Sequence, residues 1–137
     1  VTHYRKVLRK TTKEVLREHP FFETANLILP SAKVDHGAVP CWSVSTPSED
    51  REDLNPTTAR VATNLVVALH IKALADELED DLDDYSEVLE TALPAELKRR
   101  TGAQSVLLRR TETKPGAESK DIIGSLMMLF EVVGYIE

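Results

Sequence analysis

Asp121–Ile136 reads as a strand that is apolar on both faces. One face carries Leu126, Met128, Phe130, Val132 and Ile136. The other carries Ile123, Met127, Leu129, Val133 and Tyr135. Successive side chains of a strand point to opposite sides, so a strand with one side in water shows one polar face. Here Glu131 is the only charge between Ile122 and Ile136. A small domain covers one face of its sheet with helices, and the other face then needs something else to cover it. The surplus points to a subunit of an assembly. Its proposed subunit interface is Ile123, Met127, Leu129 and Val133, with His70 from the long strand described below.

The 137 residues fit one domain with one core, spanning residues 1–137. Hydrophobic residues make up 42% and charged residues 29%, as in soluble globular proteins. A net charge of −6 argues against a broad nucleic-acid-binding surface. The single cysteine, Cys41, permits no internal disulfide. It reads as a small buried apolar residue and is consistent with a reducing cytoplasm. No basic segment followed by an apolar run opens the chain, so no signal peptide is expected. The longest apolar stretches, residues 65–69 and 122–130, fall short of the ~20 residues a membrane-spanning helix needs, so no membrane partner is expected.

Tyr4, Leu8, Thr11 and Val15 recur at helical spacing and predict a helix over Tyr4–Glu18, stopped by His19-Pro20. Its exposed side is basic, with Arg5, Lys6, Arg9, Lys10, Lys13 and Arg17. A short strand is expected over residues 25–29, then a loop over 31–38, then a strand over 39–46 in which Trp42 and Val44 share a face. Pro40 marks that strand as an edge or a strand entry. Residues 47–56 are charged and bounded by prolines, which reads as an extended connection. Its segment Glu49, Asp50, Arg51, Glu52, Asp53 and Leu54 is a candidate partner-docking loop. Residues 58–72 alternate without a break, Val61, Thr63, Leu65, Val67, Leu69 and Ile71 against Arg60, Ala62, Asn64, Val66, Ala68 and His70. A ribbon of that length is expected to project beyond a compact domain.

A helix is expected over residues 73–93, with Leu74, Leu78, Leu82, Tyr85 and Leu89 on one side and acids on the other. Pro94 then opens a second short helix over 95–100 that ends at Gly102. A strand over 104–111 follows, with Val106 and Leu108 inward. Lys114-Pro115-Gly116 turns the chain into the final strand. The order of elements defines an α+β fold, an antiparallel or mixed sheet with a long hairpin and helices packed on one face.

Candidate chemistry is sparse. Asp80, Asp81 and Asp84 lie one helical turn apart, a spacing that can hold Mg²⁺ on a diphosphate. Prenyl-transfer chemistry of that kind needs a large all-helical cavity, and this chain is short and strand-rich. A solvated acidic helix face is the plainer account. His3, His19, His36 and His70 form no short pair, and only His36 lies near Cys41 in sequence, so no zinc set is expected. No phosphate-binding glycine loop, nucleotide-binding glycine pattern or nucleophile elbow occurs, and Ser43 and Ser45 have no evident base. No catalytic residue and no cofactor is expected. The basic first helix could touch nucleic acid, or its charges could meet the acidic helix. Arg5, Arg9 and Lys13 against Asp80 and Asp84 are then a charged interface, within one subunit or between two.

The whole order resembles the tail terminator family of long-tailed bacteriophages, the lambda-type minor tail protein U group. The elements that carry the resemblance are the opening helix, the Val39-Pro40-Cys41-Trp42-Ser43-Val44 strand and the charged tip from Ser48 to Leu54. To these are added the alternating strand from Arg60 to Lys72, the acidic helix followed by Pro94 and a short helix, and a closing hairpin. The resemblance implies a non-enzymatic virion protein forming a ring, usually of six subunits, on the head-proximal end of the tail tube. Such a ring stops tube polymerisation and joins the tail to the head connector or stopper protein. DNA passes through its lumen without specific binding. The implied location is the neck of a virion tail assembled in a bacterial cytoplasm, or the equivalent in a phage-derived particle such as a gene transfer agent. A head-completion or stopper neck protein is the alternative of the same class. A small nucleic-acid-binding module and a Mg²⁺-dependent enzyme are the alternatives from other classes.

Overall fold

The computed structural model describes residues 4–22, 25–27, 40–74, 76–114 and 121–136. Its elements run α1 (Tyr4–Glu18), a 3-10 turn (Pro20–Phe22), β1 (Asn26–Leu27), β2 (Cys41–Asn55), β3 (Thr58–Leu74), α2 (Leu78–Thr101), β4 (Ser105–Lys114) and β5 (Asp121–Ile136). The strands form one mixed sheet in the order β1-β2-β3-β5-β4. Only the short β1–β2 pair is parallel. This is an α+β fold, with both helices on one face of the sheet. The expected loop over 31–38 and the turn residues Pro115 and Gly116 lie outside the described residues, as do His3, His36 and positions 28–29 of the first expected strand.

The alternation in β3 decides which face is the core. Val61, Thr63, Leu65, Val67, Leu69 and Ile71 are buried, while residues 60, 62, 64, 66, 68 and 70 are half-exposed. On β5, Leu126, Met128, Phe130 and Val132 are buried on the same side. Trp42 and Val44 from β2 and Val106 from β4 complete that layer. Leu8, Val15 and Leu16 of α1 pack on it from above, and so do Leu78, Leu82, Leu89, Leu93 and Leu97 of α2. In α1, Thr12 lies fully buried at a helical core position. Its hydroxyl donates to the Leu8 carbonyl at 2.7 Å, so the Thr12 side chain is paired. α1 lies over β2 and β3, and α2 lies over β3, β4 and β5.

Two glycines of β5 let the helix starts approach the sheet. A Cβ on Gly124 would come within 2.7 Å of a Leu78 methyl, and one on Gly134 within 2.5 Å of the Tyr4 hydroxyl. Burial also pushes the Tyr4 phenol above its ordinary pKa. Gly134→Val is expected to destabilise the fold by about 1–3 kcal/mol through overpacking. A urea titration of the variant checks this, and an unchanged midpoint would mean that α1 does not close onto β5 there.

Three expectations are corrected. First, residues 47–56 are not merely an extended connection: β2 continues to Asn55 and pairs with β3 on both sides of a register shift at Pro47. The turn is closed by the Asn55 side-chain oxygen, which accepts from the Thr57 and Thr58 amides and the Thr57 hydroxyl, each at 2.9 Å. Pro47 is accommodated at a register shift between Ser45 and Ser48, where its missing N–H breaks no ladder. Second, β3 does not project as a free ribbon, because β5 pairs with it from Ala59↔Ile136 to Leu74↔Asp121. Third, the helix expected over 73–93 starts later and ends later. β3 takes Ala73 and Leu74 by pairing, and Pro94 stands inside α2 without ending it. An interior proline costs about 3 kcal/mol. Leu89, Leu93 and Leu97, fully or almost fully buried on either side of it, offset that cost. The carbonyl deprived of a partner belongs to exposed Glu90 and can bond water.

α2 also accounts for its own charges. Glu79, Asp80 and Asp81 occupy its first turn, and Lys98, Arg99 and Arg100 its last. Each set lies at the end of the helix dipole that favours it. Gly102, at φ 70°, caps the helix in the left-handed region.

Candidate assembly interface

The face of the sheet opposite the helices has no described element over it. Its centre is built from Val66 and Ala68 of β3 and from Met127 and Leu129 of β5, all half-exposed. Ile123 and His70 extend it towards one end. Register holds these side chains side by side, with Val66↔Leu129, Ala68↔Met127 and His70↔Ser125. Four of the five proposed interface residues therefore share an accessible surface. Val133 lies on the same side but is only 4% exposed, so this chain already buries it and it has little to offer a partner. Towards the start of β2 the face is also closed, since Cys41 and Ser43 are buried.

The register reveals a row that sequence spacing hides. Cys41, His70, Ser125 and Lys114 stand opposite one another across β2, β3, β5 and β4. The histidine beside Cys41 is thus His70. A thiol next to an imidazole is the raw material of a nucleophile. Cys41, however, is 0% exposed, so no substrate reaches it from solvent.

Burial holds the His70 imidazole below its ordinary pKa of 6.5. The unfolded chain then binds the proton at a higher pH than the folded one. His70 contributes its full share of stability above pH ~6.5, and that share is lost as the pH falls through the depressed folded value. Urea midpoints measured from pH 8 to pH 5 should fall on acidification, and His70→Gln should flatten the slope. An identical slope in the variant would assign the pH dependence to other groups.

The candidate partner-docking segment, residues 49–54, is an edge strand rather than a loop. Glu49 is half-exposed and faces Arg5 at 3.7 Å, while Thr63 donates to it at 3.2 Å. Arg51 and Asp53 pair with each other at 3.0 Å. Asp50 and Glu52 point to the open-face side and Leu54 is 50% exposed. Charge and a register shift on an edge strand deter indiscriminate pairing with other strands.

The charged set does not converge as the sequence suggests. α1 and α2 adjoin within one chain, but Arg5 and Arg9 turn to β2. Arg9 donates to the Thr46 hydroxyl at 2.6 Å, and with Lys13 it lines a shallow cleft of about 310 Å³ against Val44–Pro47. The ion pair between the helices has the opposite sense. Arg100 of α2 binds Glu18 of α1 at 2.6 Å and Glu96 at 2.8 Å; Arg100 holds the Glu18 carboxyl below its ordinary pKa, and Arg99 (at 2.6 Å) together with Arg100 does the same for Glu96. Asp80 and Asp84 remain exposed, Asp84 in a second cleft beside His19. Among the described residues no group of three or more His, Cys, Asp or Glu converges on a metal-sized site. No helix among them is long and apolar enough to cross a membrane.

Compared with known proteins, the chain matches no family profile and no curated sequence.

Proposed function

We propose that this chain is a structural subunit that works by assembling into a ring, in the role of a tail terminator at the head-proximal end of a phage or phage-like tail tube. The observation that carries the reading is the open sheet face. Val66, Ala68, Met127 and Leu129 form an apolar centre that the chain's own described elements leave uncovered. Contiguous apolar surface that a chain leaves in partial contact with water marks interaction sites in soluble proteins. In the assembled state that face is covered, and the ring caps the tube and presents a surface to the head connector.

Sedimentation velocity across a wide concentration range, joined to chemical cross-linking, tests the reading. A discrete closed species of several subunits is the expected result. A chain that stays monomeric at every concentration, or that stops at a two-fold dimer, would overturn the ring. Adding the assembled species to growing tail tubes from the same particle should arrest their elongation. Tubes of unchanged length would assign the ring to another neck position.

A further inference from the structure

The open face alone does not make a ring. One self-complementary patch packs across a two-fold axis and stops at a dimer, whereas a closed ring needs two unlike patches on every subunit. The two edges of the sheet are unlike. β1 covers β2 only at Cys41 and Trp42, so among the described residues positions 43–55 of β2 carry an unpaired edge. At the other end, among the described residues β4 pairs with β5 on one side only. The β2 edge carries Glu49, Asp50, Glu52 and Asp53 against one cation, Arg51, whereas the β4 edge carries Arg109, Arg110 and Lys114 against Glu112, with Arg109 also paired to Glu131 of β5 at 3.0 Å.

The helix layer has the opposite polarity. α1 lies at the β2 end, where Arg9 and Lys13 border the edge at Thr46. α2 lies at the β4 end. Its residues lining the cleft beside α1's end include Asp84, Val88 and Thr91. Exposed Glu79, Asp83 and Glu90 lie about a third of a turn away, on the β4 side.

We propose that copies of this chain join edge to edge, the β2 edge of one against the β4 edge of the next, with α1 of the first beside α2 of the second. The partner is a second copy because both layers then become complementary together: acidic strand meets basic strand, and basic helix meets acidic helix. Like edges repel, since β2 on β2 sets acid against acid and β4 on β4 sets base against base. The charges thus select head-to-tail order and reject the two-fold dimer.

Strand direction agrees. β2 runs parallel to β5 and antiparallel to β4, so the join continues the antiparallel alternation. Asp50 lies on the row of Ala62 and Arg110 on the row of Val66, both on the open-face side. Bringing them together offsets neighbours by four residues, roughly 13 Å at the strand rise. A stagger between strands is also what closing a sheet requires. In that register Glu52 falls on the row of Leu107, one position from the register shift between Leu108 and Arg110 that contains Arg109.

This inference rests on the ring reading, and charge reversal separates the two. The substitutions are Asp50→Arg with Glu52→Arg, and Arg109→Glu with Arg110→Glu, all at exposed positions. Each double variant alone should fold, by circular dichroism and thermal melting, yet assemble at least about 100-fold more weakly than the native chain. An equimolar mixture of the two should recover assembly, because reversed β2 edges then meet reversed β4 edges. The chain carrying all four substitutions should recover it as well. Native protein that never assembles would overturn the ring itself. Native protein that assembles, beside double variants that assemble equally well or a mixture that stays monomeric, would overturn the edge contact and leave the ring standing.

Discussion

Phe130→Ala is expected to destabilise the isolated chain by about 3–5 kcal/mol, the usual cost of emptying a buried aromatic site. Phe130 is 0% exposed in the middle of β5. It stands opposite Leu65 on β3 and Leu108 on β4, and the leucines of α2 complete the core around it. No loop lies nearby in that strand to relax into the space, and β3 is held on one side by pairing without a break, although β4 carries a register shift just past Leu108. A domain of this size holds only about 5–15 kcal/mol in total, so the loss takes a large share. The urea midpoint should fall steeply with little change in slope, measured at concentrations low enough to keep the chain monomeric. A loss under about 1 kcal/mol would mean that helices and sheet are not packed together at that point.

Much of this architecture can be read from periodicity, and the parts that cannot share a physical cause. Tyr4–Glu18 and Asp121–Ile136 are located to the residue, because each has a side-chain rhythm bounded by a clear stop or turn. Residues 49–55 have no such rhythm. An edge strand solvated along its outer side needs no apolar face, and backbone pairing to β-branched neighbours on β3 holds it. Leu74, Leu78 and Leu82 share helical spacing, so periodicity extends α2 backwards into residues that β3 claims by pairing with β5. Pro94 reads as a break because local rules do not register the buried leucines on either side of it.

The candidate interface is half legible for the same reason. The two apolar faces of β5 follow from alternation alone, and burial then separates them as alternation implies. The neighbours of those residues do not follow. Cys41 meets His70 only because the hairpin has one particular register, including a shift at Pro47. The opposed charges of the two sheet edges become visible only once the strand order is known. Val133 escapes for a further reason: alternation places it on the open side but does not report that the chain buries it.

Leu129→Asp, one position along from Phe130, is expected to do the opposite of the core substitution. Leu129 is half-exposed on the open face, opposite Val66 and beside Arg110. In the isolated chain the new carboxylate keeps contact with water and lies near a cation, so stability should fall by no more than about 1–2 kcal/mol. On the reading that the assembly covers the open face, the same carboxylate is buried there against apolar neighbours. The leucine's contribution of about 1.5–3 kcal/mol is lost, and an uncompensated charge adds a penalty of its own. A combined cost of about 3–5 kcal/mol per contact lowers each contact's association constant by roughly two to four orders of magnitude. Sedimentation velocity should show a folded monomer where the native chain forms rings. Leu129→Ala provides the graded control, because it removes area without adding charge and should weaken assembly by a smaller factor. If Leu129→Asp forms rings as readily as the native chain, the open face is not covered in the assembly. The edges would then carry the subunit contact alone, and the apolar face would have to serve some other purpose.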